Sequence, residues 1–175
     1  LGMRMVPVSV NVSPRQLEGG NTSICLARVL HEHQLPASLL EVEITESAMV
    51  DRDSATTREL DAIRALGIRL MIDDFGTGYS SLAQLHRLDV DVLKVDQAFT
   101  RALAQGSEGE LLYRAIVSMA AALGMRVVAE GVETVEQLRL LQAIGCDEIQ
   151  GHIISPAVPA AAIADMARAE CLPSA

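Results

Sequence analysis

Six short apolar runs punctuate this chain, and each carries polar or charged residues at or near its end. They are VPVSVNVS (6–13), LLEVEITE (39–46), IRLMIDD (68–74), DVLKVD (91–96), RVVAEGVE (126–133) and EIQGHII (148–154). Helical sequence follows each run: near 22–33, over 53–67, near 80–86, over 107–123, over 134–145 and over 159–169. Thr22 or Ser23, Asp53 or Ser54, and Thr134 stand where helices begin, and Gly67, Gly124 and Gly145 stand where they stop. The spacing is roughly thirty residues, the length of a βα unit, so the chain is expected to build a parallel sheet covered by helices.

Such units close into a (β/α)8 barrel or open into a doubly wound sheet. The first βα turn reads NVSPRQL, without a G-x-G-x-x-G fingerprint, and no Walker motif occurs. The polar strand ends decide between the two: Asn11, Glu43, Asp73 with Asp74, Lys94 with Asp96, Glu130, and Gln150. A barrel points all of these ends to one rim. An open sheet would not gather all six, because its strands lie on both sides of a switch point. The expectation is an α/β fold, a (β/α)8 TIM-like barrel of which this chain holds about six units.

Half of the 175 residues are hydrophobic but only 2% are aromatic, with no Trp, so the core must be aliphatic. That suits helices packed on a buried parallel sheet. The formal net charge of -9 and the lack of a basic stripe argue against binding duplex DNA or RNA. Cys25, Cys146 and Cys171 are far apart and odd in number, which indicates neither a disulfide framework nor a zinc knuckle. The most apolar stretch, from Leu111 to Glu133, is cut by Arg114 and Arg126, too soon for a membrane span. No signal peptide is visible, and a cytoplasmic location is expected.

As a chemical inventory, the rim offers five carboxylates and the amide oxygen of Asn11, all hard donors. Packed together without cations they would repel. All-oxygen ligation favours Mg²⁺, Mn²⁺ or Ca²⁺ over zinc, and adjacent aspartates suit two neighbouring ions. Successive strand residues face opposite ways, so Asp73 and Asp74 both serve only if the strand is ending. Gly76 and Gly78 just beyond allow that change of direction. Lys94 points the same way as Asp96, and one placed cation beside paired metals suits a phosphate oxygen or an attacking water. The combination suggests metal-assisted hydrolysis of a phosphodiester.

Each residue alone has a plainer reading. A single Asp after a strand is ordinarily a turn former or helix cap, and a single Lys a surface residue whose stem lies along apolar neighbours. DFG also marks protein kinases, but here it has neither an H-R-D loop nor a V-A-I-K strand. The histidines show no metal-binding spacing, and Ser80 and Ser81 lack a nucleophile-elbow context. Only the joint pattern of the strand ends resists a purely structural account.

The segments SVNVSPRQL, EVEITES, IDDFGTGYSSL, LKVDQAF, VVAEGVET and GCDEIQG resemble, in order, the signature segments of EAL domains, the bacterial cyclic di-GMP phosphodiesterases. The resemblance runs along nearly the whole chain. It implies that Asn11, Glu43 and Asp73 hold one catalytic Mg²⁺ or Mn²⁺ and that Asp74 and Asp96 hold a second. It also implies that Lys94 positions the attacking water, with Glu130 at the metal-and-water centre. Gln150 would contact substrate, and Glu46 would anchor the DFGTGYSS loop, which bears on metal binding and dimerisation. The implied reaction opens one phosphodiester of cyclic di-GMP to give the linear dinucleotide, with Ca²⁺ inhibitory.

Two departures stand out. The E-A-L segment, with a further metal-binding glutamate and a substrate-contacting arginine, does not occur here, so residues 1–175 are expected to be the C-terminal part of an EAL domain and inactive alone. His152 stands where the family usually has Tyr, and Ser155-Pro156-Ala157 where Ser-Arg-Pro is typical. The rival expectation is a degenerate module that binds cyclic di-GMP or a partner protein without turnover. A homodimer and an upstream GGDEF, sensor or receiver domain are the partners the resemblance implies.

Overall fold

A computed structural model describes residues 5–46, 54–76, 85, 89–103 and 106–166. Its strands are β1 (Val8–Asn11), β2 (Leu40–Thr45), β3 (Arg69–Phe75), β4 (Val92–Val95), β5 (Arg126–Ala129) and β6 (Glu148–Ile149). They neighbour one another in chain order, and the registers of β1 with β2, β2 with β3, and β5 with β6 are parallel. The helices are α1 (Pro14–Glu18), α2 (Thr22–Glu32), α3 (Ser54–Ala65), α4 (Gln97–Leu103), α5 (Ser107–Ala122), α6 (Val135–Ile144) and α7 (Ala160–Met166). The helix expected near 80–86 lies outside the described residues except for Leu85, as do Cys171, Gly78, Ser80 and Ser81.

The contacts divide the chain into an N-terminal unit, Pro7–Lys94, and a C-terminal unit made of Val95–Ala175 with Leu1–Val6. In the N-terminal unit, Val42, Ile44, Leu70 and Ile72 are essentially closed to solvent and alternate with Glu41, Glu43, Met71 and Asp73. One face of β2 and β3 is thus aliphatic, and the other carries charge among partly or wholly buried neighbours. An ordinary doubly wound sheet has two apolar faces.

The charged face is paired along its length. At the strand starts, Arg69 Nη2 meets Glu41 Oε1 at 2.8 Å, and Ser9 Oγ donates to Glu41 Oε2 at 3.1 Å. Asp91, just before β4, accepts the Leu70 N–H at 2.9 Å on its Oδ2. The C-terminal unit repeats the device, because Asp147, just before β6, accepts the Val127 N–H at 2.8 Å. In both places an aspartate satisfies the backbone donor of a neighbouring strand near its start.

Several local expectations need correction. SPRQL forms a helix the apolar periodicity did not show, because Ser13 and Pro14 open it: Gln16 Oε1 accepts the Ser13 N–H at 3.0 Å. DQAFTRAL is also helical, started by Asp96 Oδ1, which accepts the Ala98 N–H at 2.8 Å. Helix α2 is capped by neither Thr22 nor Ser23. Asn21 is the N-cap residue, and the buried Glu59 of α3 takes the Ser23 N–H at 2.5 Å. Strand β6 spans two residues, where seven were expected, since Gly151 begins a turn that returns toward Val132. Burial pushes the Cys146 thiol up to about 11, and its Sγ lies 3.3 Å from the Glu148 carbonyl, as suits a structural thiol.

Candidate metal centre

The N-terminal unit places Asn11, Glu43, Glu46, Asp73, Asp74 and Lys94. Asn11 ends β1 and stands in register with Glu43 of β2. Lys94, 4% exposed on β4, points into the charged face. Its Nζ lies 2.9 Å from Glu43 Oε2 and 2.6 Å from Asp73 Oδ1. A buried ammonium thus sits between carboxylates from two neighbouring strands. Desolvating three charges is tolerable only because each has an opposite partner. The surface-lysine reading therefore fails for Lys94.

The chain changes direction within the last residues of β3, earlier than expected. Asp74 itself takes a left-handed backbone, with φ 54°, before Gly76 at φ 99°. Aspartate tolerates this region better than most residues, at a cost of order 1–3 kcal/mol that functional sites commonly carry. Asp73 is half-buried and Asp74 exposed, and the twist at Asp74 overrides the strict strand alternation that would face them apart. Gly76 then donates its N–H to the buried Glu46 at 3.1 Å, which ties the start of the loop to the end of β2. Residues 77–84 lie outside the described residues.

The C-terminal unit places Asp96, Glu130 and Gln150. Asp96 follows β4 and caps α4; Glu130 follows β5, and its N–H donates to the Val95 carbonyl at 3.1 Å. Gln150 follows β6, and its carbonyl accepts the Val132 N–H at 3.1 Å. Glu130, Gly131, Gln150, His152 and Ser155 help to line a cavity of ≈ 440 Å³. His152, Pro156 and Ala157, the departures noted in the sequence, line the same hollow as the two predicted site residues.

Comparing the two units uncovers a correspondence the strand-by-strand reading missed. ALGIRLMIDD (65–74) and ALGMRVVAEG (122–131) align residue by residue, with Asp73 opposite Glu130 and Asp74 opposite Gly131. Gly131 has φ 66°, the same left-handed turn directly after the strand-end carboxylate. The shared A-L-G-x-R signature could have revealed this repeat from sequence alone.

Gly131 has a second constraint, since an added Cβ would lie 2.5 Å from Gln97 Cβ and 3.3 Å from Gln97 Cα. Gly131→Ala is expected to cost about 1–3 kcal/mol in urea unfolding, through strain and overlap together. Gly124→Ala is the control, with a similar φ of 76° but open space around it, and should cost less. Equal costs for the two would refute the close packing on Gln97.

The EAL domain family model matches residues 2–157. This chain belongs to the EAL domain family. Among curated EAL relatives, it is 39% identical over 168 residues to "Cyclic di-GMP phosphodiesterase NbdA" of Pseudomonas aeruginosa, covering 96% of this chain and 22% of that protein. The chain spans about a fifth of the length of the first curated relatives it matches. Among solved structures, the EAL domain of Mycobacterium smegmatis DcpA superposes with a TM-score of 0.89 at 34% identity, over 95% of this chain and 75% of that one. Klebsiella pneumoniae BlrP1, solved as a manganese and cyclic di-GMP complex, matches with a TM-score of 0.77 at 32% identity, over 83% and 38%. The parallel sheet with its helices is the TIM-barrel type of fold seen in EAL domains, as the strand ends led one to expect.

The donor set fits divalent metal. Every candidate ligand offers oxygen, and Glu43 and Asp73 already converge on one shared cation, the Lys94 ammonium. None of the described helices is long and apolar enough to cross a membrane.

Proposed function

We propose that this EAL domain serves the hydrolysis of cyclic di-GMP to its linear dinucleotide, with two Mg²⁺ or Mn²⁺ ions. The observation that carries the reading is Lys94, a buried cation held between Glu43 and Asp73 on a face that a merely structural sheet would fill with aliphatic side chains. Asn11, Glu43 and Asp73 are assigned to one ion and Asp74 and Asp96 to the other, with Glu130 at the same centre. When bound, the ions neutralise the phosphodiester and acidify water. Lys94, fixed by its contacts to the two carboxylates, is assigned to the attacking water or a phosphate oxygen. Gln150 is assigned to the substrate, and Glu46 holds the loop that opens at Gly76.

The domain is proposed to be the C-terminal part of an EAL domain over residues 1–175. It is proposed to act in the cytoplasm, as a homodimer, in a longer protein with a GGDEF, sensor or receiver domain. Residues 1–175 alone are expected to hydrolyse little or nothing. The test is to incubate the full-length protein with cyclic di-GMP and Mn²⁺ and to separate products by chromatography. Linear dinucleotide that disappears on chelation supports the reading. Tight binding without product would replace the enzyme with a receptor, the outcome favoured by His152, Pro156 and Ala157 in the cavity.

A further inference from the structure

Gln137 sits in the first turn of α6 and is only 6% exposed. Its Oε1 accepts two backbone donors, the Glu133 N–H at 2.8 Å and the Thr134 N–H at 3.0 Å. Thr134 returns a cap, its Oγ1 accepting the Gln137 N–H at 3.2 Å. That much is a capping box, and a glutamate would serve it equally well. The other half of the side chain goes further, because Nε2 donates to the carbonyl of Thr100 at 3.3 Å. Thr100 lies in the last turn of α4, where helix carbonyls turn to partners outside the helix. The amide takes the N–H groups on one side and supplies a donor on the other, which an ionised glutamate cannot do.

The two segments joined in this way carry site residues of the C-terminal unit. One is the turn Glu130–Thr134, which begins with Glu130 and is held besides by the Val132 N–H to the Gln150 carbonyl at 3.1 Å. The other is α4, which starts at the cap made by Asp96. Gly131 packs against Gln97 at one end of that contact, and Gln137 fastens Thr100 at the other. A turn and a seven-residue helix have little rigidity of their own. Cross-linking them restricts how far Asp96 and Glu130 can drift apart.

We propose that Gln137 is a positioning residue that sets the spacing of Asp96 and Glu130 for divalent metal by clamping the Glu130–Thr134 turn to α4. This rests on the reading of those two carboxylates as metal-site residues. The experiment uses the full-length protein and two variants, Gln137→Glu and Gln137→Ala. Mn²⁺ affinity is measured by paramagnetic resonance titration, amide exchange by mass spectrometry, and cyclic di-GMP turnover at limiting and saturating Mn²⁺.

Gln137→Glu keeps the acceptor and removes the donor. It should leave exchange at Glu133 and Thr134 unchanged and weaken Mn²⁺ binding by about tenfold, the usual effect of losing a group that orients metal ligands. Gln137→Ala should also speed exchange at those amides by roughly tenfold, as a lost cap implies. In both variants turnover should recover at saturating Mn²⁺ with KM for cyclic di-GMP little changed. Wild-type Mn²⁺ affinity in Gln137→Glu would overturn the proposal, reducing Gln137 to a cap. So would exchange in Gln137→Ala that rises evenly through α5 and α6, which is general loosening. If the wild type binds Mn²⁺ but turns over no cyclic di-GMP, the functional reading falls, while a tenfold loss in Gln137→Glu would still support the clamp.

Discussion

Lys94→Met is expected to unfold far more easily than the wild type in the presence of chelator, and to regain much of the difference when Mn²⁺ is added. Lys94 Nζ is the cation between Glu43 and Asp73, and the lysine is 4% exposed. Removing one partner of a buried ionic cluster leaves the others without compensation and typically costs about 3–5 kcal/mol. Methionine fills nearly the same volume, so little of the loss would come from a cavity. If Glu43 and Asp73 are metal ligands, a divalent ion supplies the missing charge, and stabilisation by a ligand of the folded state follows from mass action. Thermal unfolding with and without Mn²⁺ measures both halves. A melting temperature equal to wild type in chelator would remove the electrostatic argument. A drop that Mn²⁺ does not restore would remove the metal from it.

Asp73→Asn should have the largest effect on turnover, a loss on the order of a thousandfold, with cyclic di-GMP affinity changed by only a few-fold. The amide is isosteric but carries no charge, so it weakens both the hold on a cation and the grip on Lys94. Losing several kcal/mol of transition-state charge stabilisation corresponds to about that factor. The control is Asp61→Asn, an exposed aspartate of α3 outside the proposed site. Comparable losses in the two variants, measured by product formation at saturating Mn²⁺, would show that Asp73 has no special place in the reaction.

The parallel order of strands was legible in the sequence because it follows from short-range regularities. Apolar runs of strand length alternate with helix-length amphipathic stretches, and glycines close several of the helices. The strand-end residues were legible for the same reason, since a carboxylate at the end of an aliphatic run is conspicuous. Short helices were not legible. Pro14–Glu18 and Gln97–Leu103 are too brief to show a hydrophobic period, and their start signals, Ser13 with Gln16 and Asp96 with Ala98, resemble ordinary turns. The brevity of β6 was hidden too, since EIQGHII is apolar enough for a longer strand and only the turn at Gly151 ends it.

By itself, then, the sequence determined the fold class, the rank of strands and the identity of the acidic set, all of which depend on residue type and spacing. The tertiary structure alone decided how those residues are used. Lys94 is indistinguishable in sequence from a surface lysine, and becomes a buried counterion only because β2, β3 and β4 bring Glu43 and Asp73 to its nitrogen. Asp74 is the turning residue, ahead of the glycines beyond it, and Gln137 is more than a cap because Thr100, 37 residues earlier, offers its carbonyl to Nε2. Those outcomes depend on which groups meet after long loops close, and burial then makes each meeting consequential, because a polar group removed from water must find its partner within the fold.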